Sequence, residues 1–115
     1  MTIPHKIGNW GEAYALNYLE TCGFYLLCSN HRWQRKEIDL ILWKKDLLIF
    51  VEVKTRTSVC FGFPESFLTD HQIEGIRIAA EEFVQHHCWK GRIRFDIVAI
   101  WYSNPVRLEH FEDAF

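Results

Sequence analysis

No stretch of the 115 residues approaches the roughly 18 consecutive apolar residues of a membrane-spanning helix. The opening Met1-Thr2-Ile3-Pro4-His5-Lys6 lacks the apolar core of a secretion signal. A cytoplasmic protein with no membrane partner is therefore expected. Cys22, Cys28, Cys60 and Cys88 stand singly with no CxxC spacing, which argues against a disulfide framework and leaves reduced core thiols. His86, His87 and Cys88 together with Cys60 lack the usual spacing of zinc ligands, since adjacent residues on a helix point in different directions. Repeats, low-complexity tracts and linker-like runs are missing too, so residues 1–115 read as a single domain, long enough to bury about two thirds of its unfolded surface without staples. A large charge of one sign is also absent: 13 Lys and Arg stand against 15 Asp and Glu, a net of −2, so no global field draws the chain to nucleic acid. The local distribution is uneven. His31-Arg32-Trp33-Gln34-Arg35-Lys36, Lys44-Lys45 and Lys54-Thr55-Arg56 are basic runs, each readable as a solvated loop.

What is present has an αβββαβ order. Asn9-Trp10-Gly11-Glu12 has the form of a capping box opening a helix that runs to about Cys22 and stops at Gly23. Two roles are open to Glu12: partner to the cap, or, because Glu12, Leu16 and Leu19 fall on one stripe, an acid at the end of the buried face that reaches a metal site. Phe24 to Cys28 reads as a first strand, Glu37 to Trp43 and Leu47 to Lys54 as a hairpin, and Thr55 to Phe67 as a loop. Phe61, Phe63 and Phe67 in that loop either tuck into the core or, exposed together, mark a substrate lid or dimer contact. Thr69-Asp70-His71-Gln72 is a second capping box, opening a helix that buries Ile73, Ile76, Ala80, Phe83 and Val84 and ends near Gly91. Ile93 to Trp101 has the composition of a central strand, and Val106 to His110 that of a short final one. This order requires a mixed sheet: a meander joined to a later strand by a helical crossover, with helices covering it.

The informative feature is a set of charges in the apolar hairpin Glu37-Ile38-Asp39-Leu40-Ile41-Leu42-Trp43 and Leu47-Leu48-Ile49-Phe50-Val51-Glu52-Val53-Lys54. A charge in a strand covered on both faces costs several kcal/mol unless it is paired or binds a metal. An even-length turn sets Trp43 opposite Leu48 and Asp39 opposite Glu52, with Cβ atoms about 5 Å apart. Alternation then puts Glu37, Asp39, Glu52 and Lys54 on one face and Ile38, Leu40, Val51 and Val53 on the other. Adjacent carboxylates repel unless a proton or cation lies between them, and an all-oxygen pair suits a hard ion such as Mg²⁺. The bland alternative is an ordinary salt bridge from Lys54 to Glu52 or Asp39. Asp96, a further acid in an apolar strand, is expected to pair with Arg32, Arg56 or Arg94.

These blocks, in order, resemble the small bacterial YraN-like proteins within the PD-(D/E)XK, restriction-endonuclease-like superfamily. The resemblance rests on Gly8-Asn9-Trp10-Gly11-Glu12, Asn30 with Arg32, Glu37 to Ile41, Phe50 to Arg56, Phe61-Gly62, Arg94-Phe95-Asp96, and His110 with Ala114-Phe115. It implies an α/β (α+β) restriction-endonuclease-like core whose mixed central sheet is flanked by helices. It also implies that Asp39, Glu52 and the Val53 carbonyl hold Mg²⁺ or Mn²⁺, that Lys54 orients or activates the attacking water, and that Glu12 is a helix-borne catalytic acid. Arg32, Arg56 and Gln72 would meet nucleic acid. The chain departs from the pattern at His71-Gln72, where many relatives carry a basic residue. The function so implied is a metal-dependent endonuclease acting on DNA, branched or junction DNA included, with a homodimer compatible with cutting both strands. The alternative is a nucleic-acid-binding or partner-recruiting module that keeps the fold and cuts little alone. A third reading is a small αβ scaffold whose acids make only salt bridges.

Overall fold

A computed structural model describes residues 5–57 and 67–115. The elements are α1 (His5–Thr21), β1 (Tyr25–Trp33), β2 (Lys36–Lys44), β3 (Leu47–Arg56), α2 (Asp70–His86), β4 (Arg92–Trp101) and β5 (Arg107–Phe111). The five strands form one mixed sheet in the order β1-β2-β3-β4-β5, with β3 and β4 parallel and the other neighbours antiparallel. The parallel pair follows from connectivity. A tight turn can only return a strand antiparallel, whereas the segment containing α2 is long enough to carry the chain back to the starting edge. The result is a mixed α+β fold compatible with a restriction-endonuclease-like core.

The helices cover opposite faces. Ala15 and Leu19 of α1, one turn apart, are fully buried against Leu40, Leu42, Ile49, Val51, Val98 and Ile100. Ile76, Ala79, Ala80 and Phe83 of α2 pack on Ile38, Ile41, Leu48, Phe50, Ile97 and Ala99. Both faces of β3 are therefore dry over most of its length, which explains its run of large apolar residues. Each fully buried Leu, Ile or Phe contributes about 1.5–3 kcal/mol relative to exposure. The face to which alternation assigns Glu37, Asp39, Glu52 and Lys54 is therefore not an open charged face: the sheet is packed on both sides and the charged residues cluster towards one end of β2 and β3.

Element boundaries depart from the sequence reading at three informative places. The first helix begins at His5, so Asn9 and Glu12 lie within it and do not form a capping box. The motif misleads because an Asn with an acid three residues on is tolerated inside a helix already nucleated upstream. β1 runs on to Trp33, so His31, Arg32 and Trp33 belong to a strand, and only Gln34-Arg35 form the turn to β2. The second helix ends at His86, ahead of Gly91, where Cys88 takes a left-handed conformation at φ 52°. Its start matches the sequence reading: the Gln72 N–H donates to Thr69 Oγ1 (3.1 Å) and the Thr69 N–H to Gln72 Oε1 (2.8 Å). Phe67 is buried in the α2-side core, whereas Phe61 and Phe63 lie outside the described residues.

Candidate metal centre

The acid pair lies where the β2–β3 ladder gives way. Regular pairing runs from Lys44 opposite Leu47 to Leu40 opposite Val51. One step further, side chains replace main-chain partners. The Val53 N–H donates to Asp39 Oδ2 at 2.8 Å, and the Asp39 N–H donates to Glu52 Oε1 at 3.3 Å. Each carboxylate is thus held by the backbone of the facing strand, and the two acids lie side by side as the hairpin register predicts. Glu52 is 7% exposed, although it is charged at neutral pH in its usual state. It follows Leu48 and Phe50 on the α2-side face by alternation, and Lys54 continues that row, half-buried.

Strict alternation fails beside the pair. Ile38 lies in the α2-side core and Leu40 in the α1-side core, although two residues apart on one strand should share a face. The prediction that Ile38 and Leu40 line one face is corrected by this break. It coincides with the end of the ladder and with Asn30, which takes φ 52° in the neighbouring strand. Glu37 is drawn away from Asp39 by other partners. It forms an ion pair with Arg32 at 3.1 Å, and Asn30, with its amide nitrogen turned towards the acids, donates to Glu37 Oε1 at 3.2 Å and to Glu12 Oε1 at 3.0 Å.

The electrostatics of the pair follow from burial. For Glu52, desolvation first and the adjacent Asp39 charge second push the carboxyl up to about 9, while Lys54 pulls it down. Desolvation also raises the Asp39 carboxyl, opposed by the Val53 N–H, by a hydrogen bond with Glu52 and by the Lys54 charge. Two acids so placed hold a proton between them at neutral pH, or exchange it for a cation. The salt-bridge reading of the cluster finds no contact: among the described residues, Lys54 makes no ion pair within 4.0 Å of either acid. Lys54 acts on both as a nearby charge.

Asp39 and Glu52 line a cavity of about 290 Å³ between the β1–β2 turn and the first turns of α2. Arg35, Lys36, His71 and Gln72 stand around it, with Leu68 and Ile76 as its apolar wall. The all-oxygen pair, desolvated and carrying one negative charge too many, fits a hard divalent cation that keeps part of its hydration shell. Among the described residues no three His, Cys, Asp or Glu side chains gather as a metal site, which leaves Asp39 and Glu52 as the two carboxylates that could donate here. Sequence reasoning places Arg35 and Lys36 in a basic run but reads that run as solvated loop. Their signal is adjacency to the hairpin that carries the acids.

The other expected site residues are more scattered. Glu12 lines a different cavity, of about 260 Å³, with Asn9, Ser29, Asn30 and Leu40, and connects to β2 through Asn30 and Glu37. Its helix is nonetheless pressed hard on β3. A Cβ at Gly11 would collide with Thr55 Oγ1, so this position requires glycine for close approach, one residue past Lys54. Arg32 is engaged with Glu37 while its side chain remains three-quarters exposed. Arg56 donates to the Thr55 carbonyl at 3.2 Å and lies over the Phe67 ring at 5.5 Å. Gln72 lines the acid cavity and also closes the capping box.

Asp96 is buried as well, and of the three arginines expected as partners, Arg32, Arg56 and Arg94, it is Arg94 that pairs with it. Arg94 Nε and Nη2 donate to its two carboxylate oxygens, both at 2.8 Å. His110 Nε2 lies 2.8 Å from Oδ2, and the Asp113 N–H donates to Oδ1 at 3.0 Å. Tyr18 Oη meets the other His110 nitrogen at 3.1 Å, tying α1 to β5.

The Uncharacterised protein family UPF0102 model matches residues 11–100, which contain the acid pair, Lys54 and both walls of its cavity. A UPF0102 protein of Flavobacterium psychrophilum is 38% identical over 116 aligned residues, covering 100% of this chain and 98% of the relative. One from Christiangramia forsetii is 35% identical with the same coverage, and one from Cytophaga hutchinsonii 41% identical over 90 residues, covering 78% of this chain and 80% of the relative. No helix among the described residues is long and apolar enough to cross a membrane. The chain belongs to the UPF0102 family.

Proposed function

We propose that this protein is a metal-dependent phosphodiesterase of the PD-(D/E)XK type that cuts DNA, branched DNA included. The observation that carries the reading is the side-by-side placement of Asp39 and Glu52, each bonded by the facing backbone, with Lys54 on the same face and an open cavity before them. Asp39, Glu52 and the main chain at Val53 would hold Mg²⁺ or Mn²⁺. Such an ion, when bound, polarises a phosphoryl oxygen and acidifies a coordinated water. Lys54 supplies positive charge beside the reacting phosphate, where negative charge builds in the transition state. Burial of Glu52 and partial burial of Asp39 strengthen these interactions, because less water is left to screen them. Glu12, which reaches β2 through Asn30, acts from the flank, holding Asn30 and hence the strand end in place.

The test is cleavage of plasmid and of a four-way junction by the purified full chain with Mg²⁺ or Mn²⁺. Asp39→Ala and Lys54→Ala are expected to abolish cutting with the fold retained. Equal activity in either variant discards its assigned role. A second reading, a nucleic-acid-binding module that cuts little alone, is favoured by the two-carboxylate donor set and by the −2 net charge. It predicts salt-sensitive DNA binding with no cleavage in any divalent ion.

A further inference from the structure

The cavity before Asp39 and Glu52 has an acidic floor and a basic rim. Arg35 comes from the β1–β2 turn and Lys36 from the first position of β2 on one side, and His71 from the first turn of α2 on the other. Other basic residues near acids are already paired: Arg32 with Glu37 at 3.1 Å, Arg92 with Asp46 at 3.0 Å and Arg94 with Asp96 at 2.8 Å. Among the described residues, Arg35 and Lys36 make no ion pair within 4.0 Å. Lys36 is also held in place. Its stem lies over Gly75 of α2, with Cγ 3.6 Å and Cδ 3.9 Å from where a Cβ would stand, and its ammonium is 5.8 Å from the centre of the Trp33 ring. Glycine in a helix interior is less favourable than alanine, and the bare helix surface it leaves is where the lysine stem runs. A stem fixed along a helix confines its charged head to the cavity rim.

Negative charge at the floor with unpaired positive charge at the rim complements a ligand whose anionic oxygens face both a bound cation and the protein. A phosphodiester strand has that character, since each phosphate repeats the charge along the chain. We propose that Lys36 and Arg35 form a phosphate seat that holds the backbone of a DNA strand between the β1–β2 turn and α2, which rests on the phosphodiesterase reading for what occupies the floor. The two residues act by binding and positioning. They line the same cavity as the acids, so a strand seated on them passes over Asp39 and Glu52.

The experiment is a salt series of binding to a short fluorescent DNA duplex, with metal withheld so that nothing is cut, followed by cleavage with Mg²⁺. The Arg35→Ala, Lys36→Ala double variant is expected to bind at least about 10-fold more weakly at low salt, with the slope of log K against log salt reduced by about two, one for each lost phosphate contact. Lys36→Arg should restore most of the affinity lost by Lys36→Ala, and Lys45→Ala, at the opposite end of β2, should leave binding unchanged. Lys36→Gln keeps the stem on Gly75 and replaces the double variant should that fail to fold. If the wild type binds and cuts while the slope of the rim variants is unchanged, the seat is overturned and the phosphodiesterase reading stands. If the wild type neither binds nor cuts, that reading fails and the seat falls with it.

Discussion

Two groups of acids, Asp96 alone and half-buried Asp39 beside buried Glu52, occupy one sheet and are treated in opposite ways. Asp96 is fully buried and fully supplied, with a bidentate arginine, a histidine and a backbone N–H on its two oxygens. Burial works against its ionisation, but His110, Arg94 and the Asp113 N–H outweigh burial and hold the carboxyl below its ordinary range. Asp39 and Glu52 share two backbone N–H groups and a lysine that stands off, and both carboxyls are pushed up. The first group finds all its partners within the chain, and the second is left with two backbone N–H groups and a lysine at a distance. A buried charge whose partners are all present is a clamp, here joining β4, β5 and the C-terminal turn. A buried pair short of positive charge gains stability from anything cationic that reaches it.

The largest effect is expected from breaking the clamp. Asp96→Ala leaves Arg94 without its buried partner and frees the C-terminal turn, at a cost of about 3–5 kcal/mol in denaturant unfolding. That is a large share of the stability of a domain this size. A loss below about 1 kcal/mol would mean that the network is not the clamp described.

Next in size is the pH response, which has opposite signs at the two sites. Because the folded-state value for Glu52 lies above that of the unfolded chain, the folded protein keeps a proton that the unfolded chain releases. Metal-free stability therefore declines as pH rises from the ordinary carboxylate range towards about 9. Asp96 behaves inversely. Its lowered value makes its contribution full above the ordinary range and lost as pH falls through the folded value. Glu52→Gln should flatten the alkaline decline and leave the acid one untouched. Mg²⁺ or Mn²⁺ should raise the wild-type Tm more at pH 8 than at pH 6, and Asp39→Asn should abolish that rise. A Tm indifferent to divalent ions at both pH values would remove the cation from the site.

Smaller effects are expected at the supports of the reactive end. Gly11→Ala forces α1 off Thr55 and should cost about 1–3 kcal/mol, together with, on the proposed phosphodiesterase reading, a loss of cleavage, since the strand displaced carries Glu52 and Lys54. Thr69→Ala removes the cap of the helix that walls the cavity and should cost about 1 kcal/mol. Equal stability of Gly11→Ala and wild type would show that the helix yields without disturbing β3.

The pairing of the hairpin was legible because its register depends on turn length and alternation alone. The Thr69 cap was legible because a capping box draws only on residues three apart. The Asn9 motif has the same local form but lies inside a helix, because the turn before it is already helical. The break in alternation at Ile38 could not be read from spacing. It requires Asn30 on another strand, the end of the β2–β3 ladder and two cores competing for adjacent side chains. The basic rim at Arg35 and Lys36 was visible as composition, yet its meaning depends on α2 arriving opposite from a segment more than thirty residues away.

Local sequence by itself determined the order of helices and strands, though not every boundary, and that two acids face each other across a hairpin. Those facts follow from steric preferences and side-chain periodicity within a few residues. Tertiary structure alone decided that the Asp96 charge is satisfied and the Asp39–Glu52 charge is not. Burial and charge balance depend on groups brought together from distant parts of the chain, and the free energy of a carboxylate is set by that whole surrounding.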